Sequence, residues 1–183
     1  MLTGELVRLE PLTGSVLTDY LAGLADPEVR RLTGSHAPLD QARVEQWLAS
    51  RAQQHGLADW AVLRRSDGAF LGEAVLNDLD PDNASANYRI WLAGPQVLGK
   101  GYGTEATSLV LDCALGAAGL HRLSLGVFDF NLRARRVYEK CGFQLEGRLR
   151  HALRWDGQWH DELIMSVLST DPRLLPQRPS QQP

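Results

Sequence analysis

Two segments decide the fold of this chain: Leu98-Gly-Lys-Gly-Tyr-Gly-Thr-Glu-Ala106 and Asn131-Leu-Arg-Ala-Arg-Arg-Val-Tyr-Glu-Lys-Cys-Gly-Phe143. The first places glycines before an apolar helical stripe. Glycines allow a positive φ and a close approach of the backbone to a ligand, and a helix N-terminus offers unpaired N–H groups to an anion. The second predicts a short helix with Asn131 as its N-cap and Gly142 just past its end.

The glycine segment partly fits two well-known phosphate-binding loops. Gly94 to Lys100 matches GxxxxGK, but Gly101 stands where a P-loop requires Ser or Thr for Mg²⁺. Gly101-x-Gly103-x-x-Ala106 matches a dinucleotide fingerprint, yet residues 94–100 separate it from the preceding predicted strand, which that fingerprint does not allow. Neither motif accounts for the second segment.

Taken together, the two segments closely resemble the GNAT acetyltransferases. GKGYGTEA, residues 99–106, is similar to the loop that binds the coenzyme A pyrophosphate, and NLRARRVYEKCGF, residues 131–143, is similar to the family's second motif. Within the family the chain looks most like the RimJ/RimL-type N-acetyltransferases, from about Leu6 to Ser169. It departs from the pattern at Leu98, where Arg or Gln is usual, and at Asn87, where a Glu is common.

The resemblance and the order of the predicted elements imply an α+β (mixed α/β) GNAT fold. Its central sheet is expected to be twisted, mostly antiparallel and of about seven strands, with helices on both faces. Strands are predicted at 6–12, 60–64, 70–76, 84–93, 122–128, 143–150 and 162–169, and helices at 18–24, 40–54, 104–118 and 131–141. We expect one domain over residues 1–170 and a flexible tail, rich in Pro and Gln, over 171–183.

The resemblance also implies acetyl-CoA as co-substrate and a primary amine as acceptor, which is a protein N-terminus, an amino acid or a small amine. The residues that it assigns to coenzyme A lie in the two segments and in the strand before them. They are Trp91, Leu92, Leu98, Gly99, Lys100, Gly101, Tyr102, Gly103, Thr104, Asn131, Ala134 and Arg136. The alternative is a coenzyme A-binding regulatory module without efficient catalysis.

Two residues are predicted to be catalytic. Tyr138 follows Asn131 by two helical turns, about 10 Å, so both share one helix face. Its hydroxyl, with an ordinary pKa of about 10, can protonate a thiolate whose thiol has a pKa of about 8.5. The general base is an open question. Glu73, directly after Gly72 on a predicted strand, is the first candidate and Asp78 the second, while water suffices for an α-amine of pKa about 8.

The acceptor is expected to bind between two walls. One is the strand at 143–150 with the loop 151–161, which contains Trp155 and Trp159. The other, by resemblance, comes from the first two helices with Arg31, His36 and Trp47.

Composition sets the remaining expectations. The chain has 183 residues, of which 44% are hydrophobic, and a net charge of -3, which argues against a protein that coats nucleic acid. No apolar run is long enough for a membrane span, and no signal peptide is recognised at the N-terminus. The two cysteines and five histidines show no metal-binding spacing. We therefore expect a cytoplasmic protein without a metal, nucleic acid or membrane partner, and a homodimer as a candidate assembly. The only two lysines, Lys100 and Lys140, both fall in the two segments.

Overall fold

The computed structural model describes residues 1–51 and 58–172, and it shows one mixed sheet flanked by helices. The strand order is β1-β2-β3-β4-β5-β6-β8-β7. The strands are β1 Leu2–Thr3, β2 Val7–Pro11, β3 Ala58–Arg64, β4 Phe70–Asp80, β5 Ser85–Leu92, β6 Arg122–Phe128, β7 Gln144–Trp155 and β8 Gln158–Leu168. The α+β class and the mostly antiparallel sheet are confirmed. The expected strand number of about seven was one too low, because residues 2 and 3 form a short edge strand on β2.

The helices are α1 Leu17–Ala25, α2 Pro27–Thr33, α3 Gln41–Arg51, α4 Tyr102–Leu111 and α5 Leu132–Lys140. A π-helical turn, Asp112–Ala117, continues α4. Helix α2 was not predicted, because its seven residues are too few to show a clear apolar period. The predicted end of the second helix at Gln54 and almost all of the predicted tail lie outside the described residues. Within the described ranges, no helix has the length and apolar character needed to cross a bilayer.

Both faces of the sheet are covered. Helices α4 and α5 pack on one face over the larger core, where Leu71, Val110 and Leu123 are fully or almost fully buried. Helices α1, α2 and α3 pack on the other face over a smaller core that contains Tyr20 and Trp91. Because successive strand residues point to opposite faces, the central strands β3, β4 and β5 contribute to both cores. A site that passes between two strands can therefore be reached from two sides.

Strands β5 and β6 form the one parallel pair of the sheet described above. They pair only at the start, where Ser85, Ala86 and Asn87 lie opposite Arg122, Leu123 and Ser124. Both strands continue beyond this point, β5 to Leu92 and β6 to Phe128, without pairing to each other. The backbone polar groups on the facing edges thus lack strand partners and are available to a ligand.

The N-terminal segment is fastened to α4 by one carboxylate. Glu105, in the first turn of α4, accepts hydrogen bonds from the backbone amides of Glu5 at 2.8 Å, Leu6 at 2.7 Å and Val7 at 2.8 Å. The Leu6 side chain lies next to Gly101 at the start of the same helix. These contacts hold the glycine segment against the edge of the sheet.

Candidate active site

A cleft of about 290 Å³ opens where β5 and β6 separate. Its walls come from residues 87–92 of β5, residues 126–128 of β6, the inner face of α5, helix α2 and one residue of β8. Tyr88 faces the larger core beneath α4 and α5, whereas Trp91 faces the smaller core beneath α1 to α3. The cleft therefore runs through the sheet, so two reactants can enter it from opposite faces.

The glycine segment forms an anion-binding end of this cleft. Gly101 is the N-cap of α4 with a φ of 85°, and no side chain caps the helix. The amides of Tyr102, Gly103 and Thr104 therefore have no helical acceptor. Gly99 also has a positive φ, 74°, and a Cβ placed there would meet no atom within 4 Å. An open turn, free amides, a helix dipole and the exposed Lys100 together suit a diphosphate.

Two predicted residues of this segment reach the cleft itself, Leu98 and Gly103, together with Trp91 and Leu92 of β5. The others form the outer turn and do not line the cleft; they are Gly99, Lys100, Gly101, Tyr102 and Thr104. The coenzyme A-binding residues predicted in β5 and the glycine segment therefore fall into two groups. One group faces the cleft, and the other forms the turn at its end.

Tyr138 lies on the cleft wall and is only 6% exposed. Its ring packs edge-on against Phe143, with centroids 5.8 Å apart. The hydroxyl makes no hydrogen bond to any residue of the described ranges. Burial raises the pKa of Tyr138 far above its usual value, so the hydroxyl keeps its proton across the whole neutral range. It is thus a neutral O–H donor available to a group in the cleft.

Asn131 caps α5 and lines the same cleft. Its Oδ1 accepts a hydrogen bond from the amide of Ala134 at 3.1 Å, which leaves Nδ2 as a donor toward the cleft. Ala134 and Tyr138 lie on the same wall, as the helical spacing predicts. Arg136 is exposed on α5 and does not line the cleft, whereas Arg133 does.

Glu73 is 1% exposed on β4 and does not line the cleft. Its Oε2 accepts hydrogen bonds from Trp91 Nε1 at 2.7 Å and from the Tyr20 hydroxyl at 3.2 Å. Its Oε1 is buried and has no hydrogen-bond partner among residues 1–51 and 58–172. Burial is the main cause that raises the pKa of Glu73, and the nearby donors and Arg89 oppose this rise only in part. Asp78, the second candidate, is exposed at the far end of β4 and is also absent from the cleft.

Several cleft residues were missed by the sequence analysis: Glu28, Arg89, Phe128, Arg133 and Glu162. Glu28 was missed because α2 was missed, although Asp26, Pro27 and Gly34 mark that helix. Asp26 caps it through two backbone amides, Pro27 occupies its first turn, and Gly34 ends it with a φ of 65°. For Arg89, Arg133 and Glu162, no local pattern distinguishes a cleft residue from any other polar side chain, and Phe128 resembles any other apolar residue at a strand end.

The predicted acceptor walls meet at one point. Trp155, at the tip of the β7–β8 hairpin, stacks on His36 with ring centroids 4.8 Å apart. Arg31 lies over the ring of Phe130 at 4.6 Å. Trp47 instead packs on Tyr20 in the smaller core, and Trp159 is 55% exposed. None of these predicted acceptor residues lines the cleft, which on this side is lined by Glu28, Val29, Leu32 and Thr33 of α2.

Comparison with known proteins gives a consistent picture. The family model described as an acetyltransferase (GNAT) domain matches residues 7–144. The chain is 42% identical over 73 residues to the probable N-acetyltransferase YjcK of Bacillus subtilis strain 168, covering 40% of each chain. It is 31% identical over 113 residues to the spermidine N(1)-acetyltransferase of Escherichia coli K12, covering 62% of this chain and 60% of the relative. It therefore spans about half the length of these curated relatives.

Among solved structures, the fold is similar to that of a spermidine N-acetyltransferase from Vibrio cholerae in complex with CoA and spermine. The TM-score is 0.82 at 20% sequence identity, over 91% of this chain and 98% of that one. At this level of identity the likeness concerns the fold alone.

Proposed function

The chain belongs to the GNAT acetyltransferase family, and on that premise we propose that it transfers the acetyl group of acetyl-CoA to a primary amine. The amine attacks directly in a ternary complex. The observation that carries this proposal is the cleft between the diverging ends of β5 and β6, with the buried Tyr138 hydroxyl on its wall. Such a cleft admits a thioester from one face and an amine from the other.

The residues of the glycine segment fit coenzyme A. The free amides at the start of α4, with Lys100 beside them, would hold the pyrophosphate. The unpaired edge of β5 up to Leu92 would pair with the amide groups of the pantetheine arm, as an extended peptide pairs with a sheet edge. Asn131 Nδ2 supplies a further donor from the opposite wall.

Tyr138 then acts as the proton donor to the leaving sulfur. Acetyl-CoA supplies an activated acetyl group as a thioester. The ordinary pKa of tyrosine, about 10, already keeps Tyr138 protonated at neutral pH, and burial raises this pKa further. An O–H donor in a buried site favours departure of a thiolate. Leu98 removes one polar contact that the family pattern supplies, so the backbone amides have the larger share in holding the cofactor.

The size of the cleft limits which amines can act as acceptors. The cleft of about 290 Å³ must hold both the thioester and the reacting amine, which favours a small acceptor or the tip of a larger one. The likeness to RimJ/RimL-type enzymes in the two motifs supports an α-amine, and the spermidine acetyltransferases among the relatives support a polyamine.

The test is thiol release from acetyl-CoA with a panel of amino acids, short peptides, polyamines and aminoglycosides. The proposal expects release that depends on at least one amine and saturates with acetyl-CoA. A regulatory coenzyme A-binding module would instead bind acetyl-CoA at saturation and release no thiol with any acceptor. Binding measured by calorimetry in the same buffer distinguishes the two.

A further inference from the structure

The charged side chains that line the cleft do not all neutralise each other. Four charged residues line the cleft: Glu28, Arg89, Arg133 and Glu162. The charge of Glu28 is neutralised by Arg31, which donates hydrogen bonds to both of its carboxylate oxygens at 2.8 and 2.9 Å. The carboxylate of Glu162 makes neither a hydrogen bond nor an ion pair with any residue in the described part of the chain. It is therefore an anionic group that faces the cleft without a counter-ion.

The side chain of Glu162 occupies space that only a glycine at position 126 leaves open. Glu162 lies on β8 opposite Phe128 of β6, and its side chain lies across Gly126, where a Cβ would collide with the carboxylate. Gly126 is two residues beyond Ser124, the last residue of β6 that pairs with β5. The carboxylate thus reaches over β6 to the narrow end of the cleft.

Arg89 occupies the matching position on the other strand. It is two residues beyond Asn87, the residue of β5 that pairs with Ser124. Because side chains two residues apart share one face of a strand, Arg89 and Gly126 lie on the same face of the sheet. The Arg89 side chain is 58% exposed, and it forms a long ion pair with the buried Glu73, with Nη2 and Oε2 4.0 Å apart. No ion pair joins Arg89 to Glu162 within the described residues.

A cation and an anion therefore flank the narrow end of the cleft from opposite strands, on the face from which the amine enters. From this juxtaposition we infer that the acceptor is a small amino acid, with a carboxylate only a few bonds from its primary amine. Glu162 binds the ammonium group and Arg89 binds the carboxylate. A polyamine can place one ammonium group on Glu162, but it then brings a second ammonium group toward Arg89. This approach is unfavourable because the two charges are alike. This inference rests on the proposed function and narrows its substrate class.

The transfer is balanced without any further reactant. The ammonium group loses one proton to water while Glu162 holds it, and the neutral amine attacks the thioester carbonyl. A C–N bond forms and the C–S bond breaks, Tyr138 gives its proton to the thiolate, and the nitrogen loses its second proton. Tyr138 recovers a proton from water, so the sum is one amide, one free thiol and one proton released.

The experiment measures thiol release with matched pairs of acceptors. Glycine and each standard L-amino acid with a primary α-amine are compared with their α-amides, and β-alanine, 4-aminobutyrate, n-butylamine and spermidine complete the set. The expected result is a higher kcat/KM for at least one free amino acid than for its own amide and for spermidine. The amide keeps the amine and the side chain and lacks only the carboxylate, so the difference reports the Arg89 contact.

Three variants assign the contact to residues. Arg89→Gln should lower kcat/KM for the free amino acid about tenfold or more, because a charge-assisted hydrogen bond is lost, and change it less than twofold for the amide. Glu162→Gln should lower both. Gly126→Ala should lower both as well by displacing the carboxylate, with no additional loss when combined with Glu162→Gln. Arg43→Gln on α3 and Glu139→Gln on α5, both exposed and away from the cleft, are the controls.

Three results overturn the inference. If spermidine or n-butylamine is the best acceptor and Arg89→Gln has no selective effect, the inference is wrong and the proposed acetyl transfer stands. If Arg89→Gln lowers the rates with the free acid and the amide equally, Arg89 does not bind the carboxylate. If acetyl-CoA binds but no amine releases thiol, the proposed function and the inference both fall.

Discussion

The indole Nε1 of Trp91 donates a 2.7 Å hydrogen bond to Oε2 of Glu73, its direct cross-strand partner on β4. Trp91 lines the cleft and Glu73 does not. A buried carboxylate one strand away thus fixes the orientation of a cleft wall, and Tyr20 adds a second hydrogen bond from α1. This geometry supports a positioning role for Glu73, whereas its assignment as the general base stays a prediction.

Replacement of Glu73 tests the cost of burying its charge. Burial raises the pKa of Glu73 in the folded protein. The protonated side chain of Glu73 therefore contributes fully to the free energy of unfolding below the ordinary pKa of a glutamate, near 4.3. This contribution is lost as the pH rises through the raised pKa of the folded protein. We expect the free energy of unfolding of the wild type to fall, relative to Glu73→Gln, between pH 4.5 and pH 8. Urea denaturation of both proteins at the two pH values measures it, and an unchanged difference would argue against the raised pKa.

The same variant tests the base assignment by kinetics. If Glu73 takes the proton of the amine, Glu73→Gln should flatten the acid limb of the kcat/KM profile. If Glu73 positions Trp91, the variant should keep the shape of that profile and change KM for the acceptor. The pH–rate profile with one active acceptor therefore separates the two roles.

The two lysines give a matched pair for coenzyme A binding. Lys100 lies in the glycine turn and Lys140 in the last turn of α5. Removal of an exposed point charge beside a phosphate should weaken binding by about two- to fivefold, from the 0.3–1 kcal/mol typical of such contacts. We expect Lys100→Ala to show this loss in calorimetry and Lys140→Ala to show less. An equal or larger loss for Lys140→Ala would place the phosphates elsewhere.

Glu105 provides a prediction on stability. Its carboxylate accepts three backbone hydrogen bonds from the N-terminal segment, so Glu105→Ala leaves three amides without their acceptor. We expect a loss of about 2 kcal/mol in the free energy of unfolding. This is less than the sum for three charged hydrogen bonds, because water can replace the carboxylate at these partly exposed amides. Glu139→Ala, which breaks an exposed helix pair with Arg135, should cost at most about 0.5 kcal/mol. Equal losses in urea denaturation would contradict the assignment.

Much of the fold could be predicted from local patterns. The glycine segment, the α5 cap at Asn131 and the turn at Gly142 depend on backbone rules that a sequence displays directly. Helix α2 was missed because seven residues with one buried side chain, Val29, give no period to detect.

The cleft was harder to predict because it depends on where pairing stops. Nothing in residues 85–92 or 122–128 shows that β5 and β6 share only three paired residues. Glu162 reaches the cleft only because Gly126 lies beside it in the folded sheet, and these two residues are distant in sequence. Similarly, Glu73 resembles an exposed strand carboxylate until Trp91 and Tyr20 are packed around it.

The most direct test of the central claim is Tyr138→Phe, which removes one hydroxyl group from the cleft wall and keeps the ring that packs on Phe143. Thiol release with an active acceptor and calorimetry with acetyl-CoA are measured side by side. The account predicts a kcat about 10²- to 10⁴-fold lower with a nearly unchanged Kd for acetyl-CoA. An unchanged kcat would contradict the claim that Tyr138 protonates the leaving thiolate in this cleft.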